Sequence, residues 1–91
     1  MSADEMFEEL GYRKPKCRGV IEIWEKENGK HSAVRMIIFE TDNSVRISEY
    51  FKYNDNYYEE STDITVITIQ ELQAIYKKCE ELGWIKEGEK Q

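Results

Sequence analysis

Residues 19–40 read GVIEIWEKENGKHSAVRMIIFE, and the fold turns on whether this stretch is a hairpin. β-Branched and aromatic residues flank Asn28-Gly29, the dipeptide best suited to a two-residue type I′ turn. With those two residues as the loop, Glu27 faces Lys30, Ile23 faces Val34, Glu22 faces Arg35 and Ile21 faces Met36. This register sets opposite charges across from each other and gathers Ile21, Ile23, Val34, Met36 and Ile38 on one face, where the helices are expected to lie. The other face carries Val20, Trp24, Ala33, Ile37 and Phe39 among Glu22, Lys26, His31 and Arg35. It is too apolar to meet solvent unaided, so either another segment covers it or it binds something.

Working outward, residues 45–53 alternate Val45, Ile47, Phe51 and Tyr53 against Arg46, Ser48, Tyr50 and Lys52, which reads as a third strand. Asn54-Asp55-Asn56 reads as a turn, and YYEESTDITVI after it is either a loop or holds a short fourth strand near 64–67. Both ends of the chain read as helices. Ser2 with Glu5 forms a capping box ahead of Ala3, Met6, Phe7 and Leu10 at helical spacing. Thr68 with Glu71 forms another ahead of Ile69, Leu72, Ile75, Tyr76, Cys79 and Leu82, which step along one face. EELGY (8–12) and EELGW (80–84) are then one helix ending written twice: glycine takes the left-handed position and the following aromatic packs back on the last turn. Their flanks do not align, so duplication is not the explanation. The tail KEGEKQ (86–91) reads as frayed. The expected fold class is α+β: an antiparallel three- or four-stranded β-meander flanked by a short N-terminal helix and a longer C-terminal helix packed on one face, in a single domain spanning 1–91.

With 91 residues, 40% apolar and 12% aromatic, the chain can fold on its own as one domain. No apolar run is long enough to span a bilayer and the start has no signal-peptide pattern, so a cytoplasmic protein is expected. Cys17 and Cys79 read as free thiols, and with the single His31 they do not complete a zinc site. The net charge of −6, from 13 basic and 19 acidic side chains, argues against direct nucleic-acid binding, which needs a basic face. Acids and bases are nonetheless segregated: Asp4, Glu5, Glu8 and Glu9 precede Arg13, Lys14, Lys16 and Arg18, and Asp55, Glu59, Glu60 and Asp63 follow later.

A catalytic reading finds little to assemble. There is one histidine, no serine elbow, no HExxH and no phosphate-binding glycine loop, so no catalytic residue, cofactor or metal is assigned. NDNYYEESTD offers oxygen ligands but lacks the glycine and carboxylate spacing of a calcium loop. YRKPKCR, kept extended by Pro15, is either a solvated connector or a weak phosphate contact. The strongest binding candidate is Tyr50, Tyr53, Asp55, Tyr57, Tyr58, Glu59, Glu60 and Asp63, with Phe51 beside them. Tyrosines bury large area while keeping a hydroxyl for a partner, and carboxylates on a rim steer toward a basic groove. The alternative is that half of these rings are core and the acids a solvated loop. A second candidate is self-association through Trp24, Ile37 and Phe39.

MFEELGY near the start, an Ile-rich strand ending IIF, and ITIQELQAIYKKCEELGW at the end occur in order along nearly the whole chain. In this the sequence resembles a family of small uncharacterised proteins encoded by phages and prophages of Gram-positive bacteria. It departs from them in its Tyr- and acid-rich insert between Tyr50 and Asp63 and in its basic RKPKCR. The resemblance implies a setting rather than a site: a cytoplasmic protein of a bacterial host that binds and disables host machinery, anti-CRISPR-like in size and charge. The expectation is a non-enzymatic inhibitor of a host nucleic-acid-handling protein such as a CRISPR effector, its acids partly mimicking nucleic acid. The alternative is a small phage structural or assembly module acting through homo-oligomerisation, with a homodimer through the Trp24 face.

Overall fold

The computed structural model describes residues 1–28, 33–54, 57–60 and 66–85, and at 28, 52–54 and 57–60 it describes the backbone alone. The fold is α+β, as the pattern of strands and helix caps predicts. It divides into two compact units: residues 12–66 hold the sheet, and residues 1–11 with those from 67 onward hold the helices.

In the first unit, β1 (Glu22–Asn28), β2 (Ala33–Phe39), β3 (Val45–Asn54) and β4 (Tyr57–Glu60) form an antiparallel meander in the order β1-β2-β3-β4. The hairpin exists, but its register is not the one that Asn28-Gly29 would impose. Ile23 pairs with Ile38 and Trp24 with Ile37, and the strands close at Asn28 opposite Ala33. The physical reason is packing. The two-residue turn would have set Trp24 against Ala33, whereas the observed register aligns Trp24, Ile37 and Ile47 in one row across three strands. Sliding by an even number of residues leaves each side chain on the face its alternation assigns. Lys30 and His31 lie outside the described residues.

Burial does not favour the face expected to receive the helices. Ile21 is 42% exposed and Ile23 and Met36 are half-buried there, although Val34, Ile38 and Ser48 are buried. Opposite them, Trp24, Ile37 and Phe39 are at most 1% exposed and, with Phe7, are the largest fully buried side chains. Trp24 also donates its Nε1–H to Glu22 Oε2 at 2.6 Å, which satisfies the one polar atom its burial would otherwise strand.

The basic connector is solvent-exposed at Arg13, Lys14, Lys16 and Arg18 and touches the sheet through one bridge. Arg13 and Glu25 exchange two backbone hydrogen bonds of 2.9 Å, laying residues around Arg13 along the free side of β1. Arg13 Nε then meets Glu25 Oε1 at 2.8 Å, and Lys14 reaches Glu22 at 3.6 Å while its ammonium sits 5.5 Å from the Trp24 ring centroid. Between β2 and β3, Asn43 takes a left-handed φ of 64° and Ser44 donates its backbone N–H to Asp42 at 3.2 Å. The Ser44 hydroxyl, which also donates to Asp42, is the main reason its carboxyl is held below the usual range.

The fourth strand, β4, lies earlier than 64–67. Residues 61–65 are outside the described set and Val66 and Ile67 are not in a strand.

In the second unit, α1 (Ala3–Glu9) and α2 (Ile69–Glu81) both begin with complete capping boxes, Ser2 with Glu5 and Thr68 with Glu71. Gly11 and Gly83 follow at φ 91° and 79°, the backbone region in which a Cβ is penalised. The two helices pack on each other. Lys78 Nζ reaches Asp4 Oδ1 at 2.6 Å, and Glu81 Oε2 accepts the Ala3 backbone N–H at 2.9 Å. Glu81 thereby supplies one of the acceptors that the first turn of a helix lacks.

The buried face of α2 is therefore not the expected apolar stripe. Glu71, Ala74, Ile75, Lys78 and Cys79 are buried, while Ile69, Leu72 and Tyr76 are 66%, 49% and 51% exposed.

Cys17 is half-buried and Cys79 buried, and both are free. Burial pushes the Cys79 thiol above its ordinary range. The stability this contributes is full below the thiol's unfolded pKa and is lost as pH rises through its raised folded value. Timed alkylation at pH 8, followed by mass spectrometry, should label Cys17 well before Cys79. Equal rates under native conditions would contradict the burial of Cys79.

Candidate functional site

The described carboxylates are mostly committed to structure. Glu5 closes the α1 cap, and the Ser2 backbone N–H and then its hydroxyl hold that carboxyl below the ordinary range. Glu71 closes the α2 cap. Glu22, Glu25, Glu40 and Glu49 meet Lys14, Arg13, Arg46 and Arg35 respectively. Among the described residues no group of three or more His, Cys, Asp or Glu side chains is placed to hold a metal ion. Lys16 and Arg18 are exposed beside Cys17, in an open depression on the connector.

The tyrosine- and acid-rich candidate falls on the β3–β4 hairpin. Tyr50 is half-buried, opposite Val34 on one side and Glu60 on the other. Tyr57, Tyr58, Glu59 and Glu60 make up β4, the edge strand, and Tyr53 lies near an irregularity in the β3–β4 register between Lys52 and Asn54. Asp55 and Asp63 lie outside the described residues. The hairpin thus brings Glu59 and Glu60 to one sheet edge.

The self-association candidate is corrected by burial. Trp24, Ile37 and Phe39 are 1%, 0% and 0% exposed and present no surface to a second copy. Their apolar character belongs to the buried core, the covered alternative left open by the strand pattern.

What the linear reading missed is the helix pair. Residues 1–11 and 67–85 together carry seven carboxylates against two lysines, a net −5 of the chain's −6. The sheet unit, residues 12–66, holds ten acids and nine bases and is nearly neutral. One of the two helix-pair lysines, Lys78, is spent on Asp4. Glu5, Glu8 and Glu9 are exposed on α1, and α1 has no basic residue. Beside them, an open groove of about 210 Å³ is lined by Met1, Met6, Leu10, Gln70, Gln73 and Glu9. On α2, Ile69, Leu72 and Tyr76 are exposed. Three large apolar side chains on one helix face are more than the scattered single exposures ordinary in a small domain. The signal in the sequence was the width of the α2 apolar arc: residues 69 to 82 spread too far around the helix for one contact to cover them.

No family model, curated protein or solved structure matches the chain.

Proposed function

We propose that this chain is a non-enzymatic binding protein whose acidic helix pair engages a basic surface on a nucleic-acid-handling protein. In the narrower form of this reading it is a phage-derived inhibitor that occupies the host protein's nucleic-acid site, a CRISPR effector being one target of that type. The observation that carries the reading is the concentration of five of six net negative charges on α1, α2 and their flanks. A surface of that sign raises the encounter rate with basic partners and competes with phosphate for the same side chains. The apolar residues exposed beside it supply area that charge alone does not. Glu59 and Glu60, both on β4, are a second and smaller acidic contribution.

The test is affinity capture from a nuclease-treated lysate of a CRISPR-bearing Gram-positive bacterium. A basic nucleic-acid enzyme should be retained, and it should be released both by a competing DNA duplex and by about 1 M salt, where the Debye length is about 3 Å. Recovery of no partner, or of one indifferent to salt and DNA, contradicts the proposal.

A further inference from the structure

We propose that the groove between α1 and α2 is a docking site for a basic amphipathic helix of the partner. The inference deepens the proposed function and relies on it for the sign of the partner's charge.

The groove's chemistry narrows the occupant. Its apolar lining is Met1, Met6 and Leu10, and two of those three are methionines, whose unbranched side chains adjust to irregular apolar knobs. Glu9 lines it directly, and Glu5 and Glu8 are exposed on the same short helix. An apolar floor with the Glu9 carboxylate at its edge, on a helix pair of net −5, matches a helix that shows leucine-like residues on one stripe and lysine or arginine beside it.

Other occupants fit less well. A strand needs a free edge of backbone N–H and C=O groups, and helix interiors have already paired theirs. Nucleic acid would bring phosphates against Glu9 and a helix pair of net −5. A second copy would set one net −5 helix pair against another. A small polar ligand would want several polar groups converging on an enclosed pocket, whereas this groove is open and offers Gln70, Gln73 and one carboxylate.

The probe is a synthetic peptide of leucine and lysine with its leucines at helical spacing, compared by calorimetry with a scrambled peptide of identical composition. Binding to the full chain should be on the order of tenfold tighter for the amphipathic order, about 1.4 kcal/mol. The Met6 methyl resonance should shift with saturation. Gln73 is exposed on α2, so Gln73→Lys should leave the melting temperature unchanged and erase the preference for the amphipathic order. Equal affinity for both peptides, no shift at Met6, or indifference to Gln73→Lys overturns the groove. If both peptides bind equally and salt weakens both, the acidic-surface reading stands and only the groove fails. If neither binds, both fail.

Discussion

Trp24→Ala should cost about 3–5 kcal/mol of folding stability, the range for deleting a buried aromatic side chain, read as a fall in the urea midpoint followed by far-ultraviolet circular dichroism. Trp24 is 1% exposed and packs in the row with Ile37 and Ile47, so its removal leaves a cavity in the centre of the sheet face. The substitution also withdraws the Nε1–H that Glu22 accepts at 2.6 Å and the ring beneath the Lys14 ammonium. For 91 residues the whole stability is roughly 5–14 kcal/mol, so the variant should be largely unfolded at 37 °C or close to it. Ile21→Ala, at a position 42% exposed, should cost under about 1 kcal/mol. A Trp24→Ala protein that folded normally and merely changed from dimer to monomer would restore the self-association reading.

Asp4→Ala should be the most damaging single change in the helix pair, at about 2–3 kcal/mol. Lys78 is 8% exposed at its side chain and its ammonium lies 2.6 Å from Asp4, with Glu81 at 3.8 Å as the next carboxylate. Removing Asp4 strands a nearly buried cation. The cost falls below the 3–5 kcal/mol of a fully buried pair because Asp4 is itself 39% exposed and Glu81 remains near. Lys78→Met in the same chain removes the stranded charge, so the double variant should be more stable than Asp4→Ala alone. The coupling between the two sites should exceed about 1 kcal/mol in a double-mutant cycle. Simple additivity would show that the pair contributes nothing as a pair. Hydrogen exchange gives a second reading: α1 has seven residues, too few to persist undocked in water, so its amides should lose protection first in Asp4→Ala.

How far the sequence could be read followed the range of the interactions involved. Ser2 with Glu5 and Thr68 with Glu71 act across three residues, and so do the helix-ending glycines, so both helices and their ends were legible. The strand pattern was legible for the same reason, down to which residues share a face. The hairpin register was not, because a local turn preference at Asn28-Gly29 competed with the cross-strand row of Trp24, Ile37 and Ile47, and the row prevailed. The buried face of α2 was further out of reach. The burial of Lys78 is compensated by Asp4, 74 residues earlier, whose Oδ1 accepts a hydrogen bond from its ammonium at 2.6 Å, and nothing near Lys78 announces that partner. The candidate surface shared this difficulty: the acids of residues 1–11 and 67–85 belong to one unit only once the two ends of the chain are known to pack together.

The most direct measurement compares two charge-reversed chains against the captured partner. One carries Glu8→Lys and Glu9→Lys on α1 and keeps the Glu5 cap; the other carries Glu59→Lys and Glu60→Lys on β4. With the helix pair as the binding surface, the α1 reversal should weaken the partner's affinity by on the order of a hundredfold or more at low salt, and the β4 reversal by a few-fold at most. The opposite ranking, or equal and undiminished binding by both chains, would contradict the helix pair as the site.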